Sequence, residues 1–483
     1  SLLAQGSSAG PAAQRAMVCS LAAREGVWGA GALKRPRGLV VLPCTELDAP
    51  EPPGREGAAA GSTAGPASPG ACKVVGQPAQ RLRLRCKAPA PGEWLDLRCP
   101  PAELRADCTL TPGQSFTWKR VAADQWLGVL GASAVVIRQT PSTTLVRSIA
   151  GPVVEADIRA YLGLAVPCPS LAELYRTWSA GCGRLAQVAA CLPGLRVLQQ
   201  DPVETLFAFI CSQNNNVARI ALLLDRLRAS FGEPICELPP WLQALDDDGP
   251  VESGLRDLAH VREFNARGRL HRFPTLEALA AAPDAALRKL GLGYRAAYVR
   301  GAASALLERG GRGYLQGLQR CQDRLEVQRA LCELPGVGPK VADCVALFSL
   351  CQHGCVPVDV HVWRIATRDY EPELRGARSL TPRVYEQVGE AFRRRFGAFA
   401  GWAHSLLFGA ELAGAMRSRL PEALLADMDS FRGEEKRGAE RLRAERRARR
   451  LERQAAAAEG TDGARAQENG GPRPKRQRRR EGA

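Results

Sequence analysis

The chain has 483 residues, a formal net charge of +16 and 16 cysteines. That length supports two or three domains with real cores, and the absence of any apolar run of about 18 or more uncharged residues leaves no candidate membrane-spanning helix. The cysteines are scattered and often apolar in context, as Cys211 is in "FAFICSQ" and Cys332 in "ALCEL", which is the usage of a reducing compartment.

The positive charge is unevenly placed. Residues 1–92 hold 11 Lys+Arg against 5 Asp+Glu and residues 415–483 hold 19 against 12, leaving +3 for residues 93–414. Most of the basicity therefore belongs to the ends, and overall pI alone is weak evidence for a nucleic-acid partner.

In chain order, residues 1–92 are Ala/Gly/Pro-rich with no sustained period and predict a disordered low-complexity tail. Within 1–45 the only acid is Glu25, a composition that fits an organelle transit segment and ordinary low-complexity chain equally well. Order is expected from about Trp94. From 93 to 155 the runs "SFTWKRV", "WLGVLG", "AVVIRQT" and "TLVRSI" are short and β-rich with brief links, predicting an antiparallel sheet domain. From 156 to 414 apolar residues recur three and four apart, predicting a mostly helical domain. Ser170 and Asp201-Pro202 mark helix starts. Residues 237–271 are more polar and read as an insertion. Residues 415–483 form a charged, helix-capable tail ending in "RPKRQRRR". The cluster Arg473 to Arg480 suits a nuclear-import signal or a merely solvated tail. The fold expectation is α+β.

The stretch "ELPGVGPKVADCVALFSLCQHGCVPVDVH" concentrates the chemistry. "LPGVG" between two apolar helical segments is the pattern of a helix-hairpin-helix. Its glycines, Gly336 and Gly338, permit the tight turn and leave backbone amides uncovered at a helix start, where a phosphate can dock. Such binding grips the backbone without reading sequence. Lys340 stands at the start of the second helix. It is either a surface phosphate contact or a nucleophilic amine, since a helix N-terminus and partial desolvation disfavour the ammonium form. Asp359, flanked by valines and a proline, is either a helix N-cap or a carboxylate facing Lys340. In the second case it would stabilise a cation developing at a sugar C1′ while the amine attacks.

Four motifs, "PGQSFTWKR", "CSQNNNVARI", "LRKLGLGYRAAYV" and "LPGVGPKVADC…VPVDVHVWRIATRDY", together resemble the eukaryotic 8-oxoguanine DNA glycosylase/AP lyase family of the helix-hairpin-helix, Gly-Pro-Asp superfamily. The resemblance covers about residues 93–414. It implies that Lys340 is the nucleophile, that Asp359 is its carboxylate partner, and that the base leaves the duplex before attack. It also implies that the Gly113 carbonyl accepts from N7–H of 8-oxoguanine, a proton that guanine lacks. Cys344, one turn after Lys340, and Phe408 would stack on either side of the extruded base. Asn214, Arg219 and Arg295 would hold the orphaned cytosine, Tyr294 would wedge into the gap, and His361 would contact phosphate. Taken alone, Gly113 is a turn, Cys344 and Phe408 are core residues, the asparagine run is a turn, and His361 is a hydrogen-bonded helix-end histidine.

The chain departs from the family pattern at two places. In "GWAHSLLFGAEL" His404 replaces the glutamine that usually reads the Watson–Crick edge, and Glu411 replaces an aspartate. Neutral imidazole offers one donor and one acceptor, whereas imidazolium offers two donors. Endonuclease III-like relatives carry a [4Fe–4S] cluster on four cysteines after the hairpin, and here no cysteine follows Cys355. The expectation is thus no cofactor, no metal and no membrane. The expected substrate is double-stranded DNA containing oxidised guanine, and the chain is expected to act as a monomer in the nucleus, with a mitochondrion or other organelle as the alternative.

Overall fold

The computed structural model describes residues 92–238, 268–412, 414 and 416–468. The expected tail (apart from its last residue), the middle of the 237–271 insertion and the Arg473–Arg480 cluster lie outside the described residues. Strands β1 (Leu95–Asp96), β2 (Lys119–Ala122), β3 (Gln125–Leu130), β4 (Ser133–Gln139) and β5 (Thr144–Ala150) form one antiparallel sheet in the order β1-β5-β4-β3-β2. The pairs Leu130↔Ser133 and Gln139↔Thr144 close successive hairpins, so the short links set the register. The structure therefore has the expected α+β character.

The "SFTWKRV" run enters the sheet only at Lys119 because its first half is used elsewhere. Phe116 packs edge-on against Phe209 in the helical core, with ring centroids 5.7 Å apart. Strand β4 reads as a nearly continuous apolar run because both of its faces are covered. By the two-residue period of a strand, Val135 and Ile137 join Trp126, Val146, Ile158 and Leu162 on one face. Ala134 and Val136 join Leu127, Val129, Leu238 and Leu270 on the other. The second face is closed by a hairpin of β6 (Pro234–Glu237) and β7 (Arg269–His271), which frames the expected insertion.

Between the strands lies a one-turn helix, α1 (Ala106–Thr109), and α2 (Glu155–Tyr161) starts where the strand pattern stops. Helices α3 (Leu171–Gly181), α4 (Gly183–Cys191), α5 (Pro202–Ser212), α6 (Val217–Phe231), α7 (Leu276–Ala281), α8 (Asp284–Lys289) and α9 (Arg295–Glu308) follow. Then come α10 (Arg312–Arg320), α11 (Arg324–Cys332), α12 (Pro339–Ser349), α13 (Val360–Asp369), α14 (Pro382–Phe396), α15 (Ala400–Glu411) and α16 (Glu422–Glu468). Both expected starts are caps. Ser170 and Glu173 form a capping box at α3, and the Asp201 carboxylate accepts from Glu204 N at 2.9 Å with Pro202 in the first turn of α5.

Helix α5 is buried along nearly its whole length from Val203 to Cys211, and α12 is buried from Val341 to Ser349. These two pack against each other at the centre of the helical part, which holds the hairpin α11–α12 rigidly. The core also continues past 414. Met416, Leu420, Leu424 and Met428 all join it, so the first turns of the charged C-terminal segment are packed before the helix becomes solvent-exposed.

Candidate active site

The α11–α12 turn is built for close approach. Gly336 has φ +79°, and a Cβ there would lie 2.6 Å from Cβ and Cγ of Tyr298. Gly338 is the N-cap of α12, is exposed, and has open space where a Cβ would point. The turn is tied to the α5–α6 connection by Gln213, whose Nε2 donates to the Gly336 carbonyl at 2.7 Å.

Lys340 is half-buried in the first turn of α12, and its Nζ lies 5.3 Å from the centre of the Phe209 ring, a cation–π contact. Cys344, one turn on, is 2% exposed. Burial pushes its thiol up to about 12; the Lys340 charge opposes this, and Asp343 and Asp359 reinforce it. Asp359 caps α13, its Oδ1 accepting from His361 N at 2.8 Å and Val362 N at 3.0 Å. The capping role is therefore real, and it coexists with proximity to the lysine helix. Asp359 and Lys340 both act electrostatically on Cys344 and on His404.

His404 sits on α15 at 3% exposure. Burial pushes its pKa down to about 4, with Asp359 favouring the charged ring and Lys340 disfavouring it. The imidazole is thus neutral near pH 7. Its ring stacks on Phe408 at 5.8 Å and 22°, and His361 meets the same phenyl edge-on at 5.9 Å. The Nδ1 atoms of His404 and His361 are both buried without a hydrogen-bond partner among the described residues. Lys340, Cys344, Asp359, His361, His404 and Phe408 therefore converge from α12, α13 and α15. Glu411 is held by Arg368 at 2.6 Å and Arg432 at 2.9 Å, so its carboxylate locks α13 to α16.

The remaining expected residues gather around the α5–α6 turn. Asn214 is exposed with φ +50°, a conformation asparagine tolerates better than most residues. Asn216 caps α6 through Arg219 N at 2.8 Å. The asparagine run is a turn, and each of its members has a different task. Arg295 is buried, and its guanidinium donates to the Gln213 carbonyl, to Leu292 O at 3.4 Å and to Asn214 O at 3.3 Å. It also stacks on Tyr294, 4.5 Å from the ring centre. In this structure Arg295 shapes the turn, while Arg219 donates to Gly291 O at 3.3 Å. Tyr294 is 48% exposed and meets Tyr298 edge-on, an aromatic pair at the surface beside the hairpin. Gly113, φ +77°, lies against the start of α6, where a Cβ would meet Val217 Cγ2 at 3.6 Å.

Sequence reasoning missed Gln213, Phe209 and Tyr298. Gln213 stands inside a quoted motif, and a polar residue between a buried helix and an asparagine turn was the available signal. Tyr298 also stands inside a quoted motif, but its place against Gly336, like that of Phe209 beside Lys340, comes from contacts distant in sequence.

A helix-hairpin-helix presenting a half-buried lysine near a capping aspartate, with a small antiparallel sheet upstream, defines a base-excision repair class. Comparisons with known proteins agree. The profile of the 8-oxoguanine DNA glycosylase N-terminal domain matches residues 96–206, and that of the HhH-GPD superfamily base excision DNA repair proteins matches residues 207–378. The N-glycosylase/DNA lyase OGG1 of Arabidopsis thaliana is 40% identical over 327 residues, covering 66% of this chain and 80% of the relative. The N-glycosylase/DNA lyase of Saccharomyces cerevisiae is 31% identical over 354 residues, covering 66% and 86%. Among solved structures, MBOgg1 in complex with a low-affinity DNA ligand aligns with a TM-score of 0.52 at 25% identity, covering 67% of this chain and 98% of that one. The chain belongs to the N-glycosylase/DNA lyase family within the HhH-GPD superfamily of base excision DNA repair proteins.

Proposed function

We propose that this enzyme extrudes 8-oxoguanine paired with cytosine from duplex DNA, excises it through a Schiff base on Lys340, and then cuts the strand by β-elimination. The observation that supports this reading is that Lys340 and Asp359 both act on Cys344 and His404, with His404 stacked on Phe408. In this mechanism the Lys340 ammonium first gives up a proton, its amine attacks C1′, and the C1′–N bond electrons leave with the base, which takes up a proton. Asp359, held in place by two backbone amides, stabilises the cationic sugar. Loss of the amine proton and ring opening give the iminium. Loss of a C2′ proton then expels the 3′ phosphate.

The hairpin amides around Gly336 and Gly338 would grip a phosphate. Tyr294, projecting from the surface with Tyr298 beside it, would fill the space left by the base. Asn214 and Arg219 would face the cytosine, with Arg295 joining them or holding the turn that presents Asn214. Gly113 would supply its carbonyl to N7–H. Action in the nucleus fits the basic run Arg473 to Arg480 in the sequence.

His404 favours a second reading, a different oxidised base on the same machinery. A neutral imidazole has one donor and one acceptor, and the backbone at Gly401 and Pro357 engages the His404 ring, so the edge it offers a base differs from that of the family's glutamine. The test is excision from duplexes carrying 8-oxoguanine opposite each of the four bases, alongside oxidised pyrimidines, by wild type and His404→Gln. The account expects 8-oxoguanine opposite cytosine to be cut fastest, with His404→Gln retaining or improving that rate. Preference for an oxidised pyrimidine would replace the leading reading with the second. A marked loss in His404→Gln would make histidine itself the reader.

A further inference from the structure

Three residues beyond Lys340, α12 carries a second carboxylate that the mechanism above does not use. Asp343 is 2% exposed. Its Oδ1 accepts from Gln328 Nε2 at 2.9 Å and its Oδ2 from the Tyr385 hydroxyl at 2.6 Å. The same hydroxyl accepts from Val358 N at 3.3 Å. Val358 immediately precedes Asp359. One buried phenol on α14 therefore bridges the helix that carries Lys340 and the segment that carries Asp359.

We propose that Asp343 and Tyr385 are positioning residues that hold the Asp359 carboxylate in register with the Lys340 amine. The inference rests on the assignment of those two groups as the reacting pair. Its chemistry is directional. Tyr385 donates to a carboxylate and so turns its lone pairs to the Val358 amide, which gives a polarised chain with every member satisfied. Burying a carboxylate is expensive. Burial pushes Asp343 up to about 6, against the pull of the Tyr385 and Gln328 hydrogen bonds and the charges of Arg324 and Arg393. Those two arginines both pair with Glu386 on α14, so neither neutralises Asp343 by direct contact. An apolar residue would fill the same space at lower cost but could not hold the Val358 amide through Tyr385.

Single-turnover excision and equilibrium binding of the lesion duplex, measured on the full chain, separate positioning from mere structure. Tyr385→Phe removes the bridge. Gln328→Leu removes the other hydrogen bond to Asp343 and leaves the bridge intact. The expectation is that Tyr385→Phe slows base release by about 10- to 100-fold, the scale of a small misalignment of reacting groups. Its dissociation constant for the duplex should stay within about twofold of wild type, and Gln328→Leu should keep its rate even where its melting temperature falls. A rate in Tyr385→Phe within twofold of wild type would overturn the proposal, and so would equal losses in both variants. Failure of the wild type to form a borohydride-trapped adduct would sink the Lys340 assignment itself, and the positioning role with it.

Discussion

His404 carries a signature that solution measurements can read without any substrate. Its pKa is held near 4 in the fold against about 6.5 in an unfolded chain. The unfolded state therefore binds more protons between those values, and stability rises with pH there. The contribution is fully present above about pH 6.5 and is lost as pH falls toward 4. A shift of that size corresponds to about 3 kcal/mol for this fully buried ring. His353, half-buried and pushed down to about 4 by desolvation, adds a limb in the same window. Denaturant unfolding of wild type and His404→Gln between pH 4 and 7 separates the two. The difference in stability between them should change with pH through this window and be flat above it. A difference independent of pH would mean that the ring is not buried neutral. His404 was legible in the sequence as a departure from the family pattern, but its burial and its stacking on Phe408 were not. Both depend on α15 turning that face toward α12 and α13.

Between elements, the hairpin is a tightly constrained joint. Gly336 combines a left-handed backbone with a neighbour at the base of the Tyr298 side chain, where a clash cannot be relieved by swinging a flexible tip. Gly336→Ala is expected to cost about 1–3 kcal/mol and to weaken duplex binding as the turn shifts. Gly338→Ala, with open space and a negative φ at an N-cap, should cost under about 1 kcal/mol. Thermal unfolding paired with a binding titration checks both, and equal costs would contradict the close-approach argument. The glycine spacing made this joint readable in advance. The strand runs 125–130, 133–139 and 144–150 were readable too, from their β-branched content and short links. Less visible was why β4 is apolar on both faces, since its second cover, Leu238 and Leu270, arrives about 100 residues later on a hairpin that reads locally as a polar insertion. Sequence separation also hid the Tyr385 bridge, which joins residues 42 and 27 positions apart.

Across the whole molecule, sheet and helices belong to one compact unit. Phe116, from the loop that follows Gly113, packs into the core of the helical part, so the sheet and the helices position one site together. The C-terminal helix is anchored before it becomes charged. Phe431 is buried, with Arg375 over its ring at 4.4 Å, and Glu435 pairs with Arg364 on α13. Acidic and basic residues thus tie α13, α15 and α16 together, and the surplus charge lies mainly beyond residues 93–414. The residues assigned to chemistry are few and sit on rigid helix starts. The central claim, that Lys340 is the nucleophile, is tested most directly by borohydride reduction during reaction with a duplex holding 8-oxoguanine opposite cytosine. The account predicts a covalent protein–DNA adduct with wild type and none with Lys340→Gln. An adduct that persists in Lys340→Gln, or no adduct with an active wild type, would contradict it.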